Sequence, residues 1–176
     1  PRTTVGWKGF LYDPNLDGSS DLQLGLEKSR ELYIQLIEKG LPIASEILSP
    51  MATGYFDDLL AWGAIGARTS ESQIHREISS YMPYPIGFKN GTDGSIQIAL
   101  DAIQSSSHSH HFLGMSQSGL PAILQSEGNP NAHLILRGSN SGTNYQLNEI
   151  VKIRDKNQGH LPPLVIDCSH GNSAKN

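Results

Sequence analysis

Short apolar runs alternate with amphipathic stretches along nearly the whole chain. Leu22, Leu26, Leu32, Tyr33, Leu36 and Ile37 recur at helical spacing, with Ser20 or Asp21 placed as an N-cap. Gly40 and Pro42 stop that helix. The run 42–48 reads as a buried strand, followed by a short helix over 55–62 and a strand at 64–68. A helix at 71–80 leads to a strand at 85–89. The stretch 95–106 is helical again, with Ile96, Ile98, Ala99, Ala102 and Ile103 apolar. The rhythm then breaks. Residues 111–115 and 122–125 are strand-like runs around a Gly/Ser/Pro-rich turn, which predicts a hairpin. Alternation resumes with a strand at 133–137, a helix at 145–156 and a strand at 164–168.

Strands separated by helices imply parallel pairing, and burial on both faces explains the continuous apolar runs. The strand-end residues Glu46, Arg68, Lys89, Arg137 and His170 are spaced by 22, 21, 48 and 33 residues. The long interval holds the hairpin, and the others bracket the roughly 30 residues of a β/α barrel unit. A doubly wound open sheet alternates in the same way, but no GxGxxG or phosphate-loop lysine motif favours a nucleotide-binding version. The expected fold is α/β, a partial (β/α)8 (TIM) barrel over 1–176 that lacks its first and last strands, with an inserted hairpin at 111–130.

Composition narrows the function classes. With 37% hydrophobic and 17% charged residues among 176, the chain reads as globular. A net charge of -4 argues against nucleic-acid binding. The single cysteine, Cys168, excludes an internal disulfide and is read as a small buried hydrophobe. No apolar run approaches the roughly 20 residues of a membrane span, so a cytoplasmic protein without a membrane partner is expected. Pro1 at one end and the polar run 171–176 at the other do not read as natural termini, and the chain is expected to be the central part of a longer protein.

Each apolar run ends in a polar group where a barrel builds its active site. A lone Lys or Arg after a strand is ordinarily just solvated. Three such cations in one cleft would repel one another by several kcal/mol at intermediate effective dielectric, so Arg68, Lys89 and Arg137 together point to a small polyanionic substrate. His170, in Asp167-Cys168-Ser169-His170-Gly171-Asn172-Ser173, is open as metal ligand, general base or hydrogen-bonding group, with Asp167 as its supporting partner or a structural acid. His108, His110 and His111 are read as helix-capping or surface residues rather than a metal tract. Asn90-Gly91-Thr92 fits a glycosylation sequon, but nothing else suggests secretion.

The motifs Pro1-Arg2-Thr3-Thr4-Val5-Gly6-Trp7-Lys8-Gly9, Gly63-Ala64-Ile65-Gly66-Ala67-Arg68-Thr69, Gly87-Phe88-Lys89-Asn90-Gly91-Thr92-Asp93-Gly94, Ile135-Leu136-Arg137-Gly138 and 167–173 closely resemble type I 3-deoxy-D-arabino-heptulosonate 7-phosphate (DAHP) synthases. They stand in that family's order across the whole chain. The resemblance implies a metal-dependent barrel that condenses phosphoenolpyruvate with erythrose 4-phosphate at the entry to the shikimate pathway. By position, Arg68, Lys89 and Arg137 match residues that bind phosphoenolpyruvate, and Glu46 an acid beside that pocket. Arg2 and Thr3 match the residues that hold the erythrose 4-phosphate phosphate, and His170 a ligand of a divalent metal (manganese, iron, cobalt or zinc). The family's cysteine ligand lies upstream of Pro1 and its glutamate and aspartate ligands beyond Asn176, so these residues alone are expected to be inactive.

Local departures bear on regulation. Thr53-Gly54 stands where the family has Pro-Gln, in the region of its feedback inhibitor, and Ser139 stands where a second glycine usually follows Arg137-Gly138. The hairpin resembles the family's regulatory element. Phe112-Leu113-Gly114 and Gly128-Asn129-Pro130 are similar to tyrosine-sensitive members, so an aromatic amino acid, tyrosine first, is the expected inhibitor of a homo-oligomer. Two other readings compete: a related synthase that uses arabinose 5-phosphate, and a non-catalytic amino-acid sensor that keeps the barrel and hairpin.

Overall fold

The computed structural model describes residues 6, 7, 9–116 and 118–174. Helix α1 spans Leu22–Glu38, and β1 Ile43–Glu46. They are followed by α2 (Pro50–Thr53), β2 (Leu60–Ile65), α3 (Gln73–Tyr81), β3 (Ile86–Lys89) and α4 (Gln97–Ser106). The hairpin strands β4 (His111–Met115) and β5 (Pro121–Gln125) come next. The chain then forms β6 (His133–Leu136), α5 (Leu147–Lys156), β7 (Leu164–Ile166) and a 3-10 turn at His170–Ser173. Asp21 caps α1 by accepting from the Leu24 amide at 3.0 Å, and Gly40 at positive φ ends it. No helix among the described residues is long and apolar enough to cross a membrane.

Five strands form one parallel sheet in the order β1-β2-β3-β6-β7, and β4 and β5 pair antiparallel in a separate ribbon. The expected α/β class with parallel pairing therefore holds. Residues 55–62 do not form a helix: α2 occupies Pro50–Thr53, and Leu60, Ala61 and Trp62 belong to β2. Leu60 and Trp62 pair with Ile43 and Ala44, and this strand pairing overrides a short apolar run that is equally compatible with a helix.

Alternation along the strands sorts their residues into two layers. Ile65, Ile86, Phe88, Leu134 and Leu136 are fully buried and pack with Ile78, Ala99, Ala102 and Ile153 from the helices. The opposite face carries Trp62, Ala64, Gly87, His133 and Ile135. A side chain at Gly87 would strike Ile135 and the Trp62 ring at 2.5 and 2.9 Å, so glycine there lets the Trp62 indole reach His133 and donate to its Nε2 at 2.9 Å. Burial falls off toward the edge strand β7, where Val165 and Ile166 are exposed. Cys168, just past that edge, is exposed rather than buried, because no strand covers β7 on its far side among the described residues.

Asn129 fastens the insertion to this core. Its buried amide faces the carbonyls of Ser79, Met82 and Tyr84 at 3.2, 3.4 and 2.9 Å, and its Oδ1 accepts from the Asn131 amide. Replacing it with alanine strands several buried carbonyls, and we expect Asn129→Ala to lose about 2 kcal/mol or more of stability. Urea unfolding checks this; a midpoint unchanged from wild type refutes it.

Candidate functional site

All five strands of the sheet run in the same direction, so the residues that follow them emerge at a single end. Across the sheet the order is Glu46, Arg68, Lys89, Arg137, then Asp167 and His170. Register adds the face. Glu46 pairs with Ala64, Lys89 with Ile135, and Val165 also with Ile135. By continued alternation Arg137 and Asp167 share that side, opposite the helix-facing core.

Lys89 Nζ lies 3.0 Å from Asp167 Oδ2 and 3.5 Å from His170 Nε2, and His170 Nε2 is 3.6 Å from Asp167 Oδ2. Burial opposes the Asp167 charge. Hydrogen bonds from the Ser169 hydroxyl, Lys89 and the Ser169 amide outweigh it, with the Lys89 charge, and hold the carboxyl at about 2. For His170, burial and then the Lys89 charge push the imidazole below its usual value. The Arg137 charge acts in the same direction, while Asp167 and Glu46 oppose. The imidazole is therefore neutral near pH 7, with a lone pair to offer. His170 sits at φ +55°, a conformation that costs a non-glycine residue energy.

Arg137 is buried, and its Nη1 has no hydrogen-bond partner among the described residues. A buried guanidinium with an unfilled donor is costly unless a ligand supplies the acceptor. Glu46 lies against Gly66, where a Cβ would meet its carboxylate at 2.5 Å. Arg68 is exposed in the turn after β2, and no hydrogen bond or ion pair ties it to another described residue. Arg2 and Thr3 lie outside the described residues.

The histidines before the hairpin do cap the helix end: His108 Nδ1 lies 2.7 Å from the Gln104 carbonyl, and His110 Nε2 2.8 Å from that of Ser105. Asn90 is fully buried with its amide engaged, which removes the sequon as a glycosylation site. Three residues around the site escape sequence reasoning: Asn90, Asn144 and Asn172. Their side chains bond to the backbone that carries Arg137. Their one signal in the sequence is an asparagine shortly after an apolar run, which ordinary turns share.

The residues present fit a divalent metal in part. His170 offers one neutral imidazole, and no group of three or more potential ligands occurs among the described residues.

The family model "DAHP synthetase I family" matches residues 1–176. A tyrosine-inhibited phospho-2-dehydro-3-deoxyheptonate aldolase of Schizosaccharomyces pombe is 49% identical over 100% of this chain and 48% of its own. A phenylalanine-inhibited one of Saccharomyces cerevisiae is 46% identical over 99% of this chain and 49% of its own. The solved structure of a phospho-2-dehydro-3-deoxyheptonate aldolase from Francisella tularensis superposes with a TM-score of 0.95 at 47% identity, over 100% of this chain and 52% of that one. The chain spans about half the length of the relatives it matches.

Because His170 is harder to protonate when folded, its contribution to stability is fully present above about pH 6.5 and is lost as pH falls through the unfolded and then the folded value. An NMR titration should give a His170 midpoint below 6.5. Lys89→Met, by removing a repelling cation, should move that midpoint upward. A midpoint at or above 6.5 in the wild type contradicts the geometry.

Proposed function

The chain belongs to the DAHP synthetase I family, and from that premise we propose that the complete gene product condenses phosphoenolpyruvate with erythrose 4-phosphate and water to give DAHP and phosphate, the first step of the shikimate pathway. The observation that carries this reading is the buried, underbonded guanidinium of Arg137 beside the Lys89–Asp167–His170 cluster. A phosphate or carboxylate supplies the acceptor that Arg137 lacks, and a fork of guanidinium donors suits either.

In this scheme Arg137 and Lys89, with Arg68 from the turn after β2, hold the phosphate and carboxylate of phosphoenolpyruvate. Asp167 Oδ2, 3.0 Å from Nζ, keeps the Lys89 ammonium in place. Arg2 and Thr3 take the phosphate of the sugar, and Glu46 borders the phosphoenolpyruvate pocket. A divalent ion bound at His170 would supply Lewis-acid polarisation of the sugar aldehyde. The methylene carbon of phosphoenolpyruvate attacks that aldehyde, water adds at C2, and phosphate leaves. The fixed cations stabilise charge through these steps without reorganising.

We further propose that the five parallel strands are part of a (β/α)8 barrel, which places the strand ends at the catalytic mouth. An aromatic amino acid acts as feedback inhibitor, with tyrosine our assignment from the Phe112–Gly114 segment, in a cytoplasmic homo-oligomer. The names of relatives support aromatic regulation, being tyrosine-inhibited in one case and phenylalanine-inhibited in another.

The test is an assay of the complete gene product with both substrates. Phosphoenolpyruvate loss with erythrose 4-phosphate should be chelator-sensitive and inhibited by tyrosine, and Arg137→Ala should reduce kcat/KM by a factor on the order of 100 or more. Faster turnover with arabinose 5-phosphate would transfer the chain to the related synthase. Tyrosine binding with no turnover at all would favour the non-catalytic sensor.

A further inference from the structure

The segment carrying Arg137 has a feature that no substrate-contacting residue accounts for. Asn90 Oδ1 accepts from the Arg137 amide at 2.9 Å, and Asn90 Nδ2 donates to the Gly138 carbonyl at 3.1 Å. Asn144 Oδ1 accepts from the Gly138 amide at 2.8 Å. Asn172 Nδ2 donates to the Leu136 carbonyl at 3.0 Å, and the Arg137 carbonyl accepts from the Gly171 amide at 3.0 Å. The backbone groups of Arg137 and Gly138, together with the Leu136 carbonyl, are thus all engaged.

The three residues are also linked to one another, Asn90 to Asn144 through their side chains and Asn172 to the Asn144 backbone. Asn144 Nδ2 donates to Asn90 Oδ1 at 3.0 Å, and the Asn144 amide donates to Asn172 Oδ1 at 3.0 Å. Asn172 reaches the Asp167 carbonyl as well, at 2.9 Å. One end of the chain of bonds therefore starts beside Lys89, and the other closes the turn that begins at His170. Asn90 and Asn144 are buried, and Asn172 is partly so.

We propose that Asn90, Asn144 and Asn172 form a positioning clamp that fixes the Arg137 guanidinium against the His170 turn, and so sets the affinity for the anion held by Arg137. This inference rests on the anion-site reading above and adds its second layer. Each side-chain amide acts as donor and acceptor at once; aspartate brings no donor, alanine neither group, and a serine hydroxyl is too short to span both partners. A neutral side chain also adds no charge that would compete with an anion for Arg137.

The experiment compares Asn144→Ala and Asn172→Ala with Asn129→Ala in the complete gene product. Asn129 is a buried asparagine that ties the end of α3 to the loop before β3, and its side chain bonds to none of the described site residues. Asn144→Ala should raise KM for phosphoenolpyruvate about tenfold, the worth of roughly one well-placed hydrogen bond, and leave KM for erythrose 4-phosphate within about twofold. The calorimetric Kd for phosphoenolpyruvate should rise in parallel. Asn129→Ala should destabilise the protein yet leave both KM values within about twofold. If the Asn144→Ala protein does not fold, Asn144→Ser, which keeps a short acceptor, reads the same constants.

Equal rises in both KM values, no rise in either clamp variant, or the same pattern from Asn129→Ala would overturn the clamp. A wild type that binds phosphoenolpyruvate without turning it over would instead sink the reaction reading. Calorimetry with phosphoenolpyruvate would then still test the clamp.

Discussion

A guanidinium withdrawn from water needs acceptors on every side, and the structure is arranged around meeting that need incompletely at Arg137. Its backbone is saturated, its side chain is buried, and one terminal nitrogen has no partner among the described residues. The neighbouring cation, Lys89, is already matched by Asp167 at 3.0 Å. Among the described residues, the strand ends thus carry one balanced pair, the buried Arg137 without an ion pair, and Arg68 exposed to solvent. This differs from three free cations repelling one another, and it is a less costly way to keep positive potential in a folded protein.

Two elementary periodicities bring these groups together. Parallel strands send their ends to one side of the sheet, and the twofold alternation of side chains puts Glu46, Lys89, Arg137 and Asp167 on one face. The first was legible in the sequence, since uninterrupted runs such as 133–136 and 85–88 signal two-sided burial. The second needs the register, which is set by pairings as distant as Gly87 with His133. The failure at 55–62 has the same origin. The strand identity of Leu60 and Trp62 depends on Ile43 and Ala44 beside it and on the Trp62–His133 bond across 71 positions.

Charged residues at strand ends are conspicuous, and the asparagines that hold them are not. Asn90 reads as a sequon until its burial is known, and Asn144 lies in a Ser/Gly loop that resembles any turn. The exposure of Cys168 was illegible for a different reason: whether a strand lies at an edge is a property of the sheet's order, not of the strand. The segment Gly128-Asn129-Pro130 shows the reverse trap. Its likeness to tyrosine-sensitive relatives invites a regulatory reading, yet the Asn129 side chain is consumed by three core carbonyls and the Asn131 amide. On the hairpin itself, by contrast, Leu113 and Ile123 stand 74% and 70% exposed.

The backbone at His170 shows why the supporting groups take the form they do. Its left-handed conformation is unfavourable by itself and must be imposed by its surroundings. Gly138 and Gly171 let the two chain segments approach so closely that a Cβ on Gly171 would sit 2.5 Å from the Ser139 backbone. Bonds from Asn172 and the Gly171 amide then hold the turn against the end of β6. A carboxylate in place of any of these amides would supply acceptors but no donors, and would bring negative charge beside the buried Arg137 guanidinium. Neutral two-way hydrogen bonding between closely packed glycines satisfies both conditions, and few other side chains do.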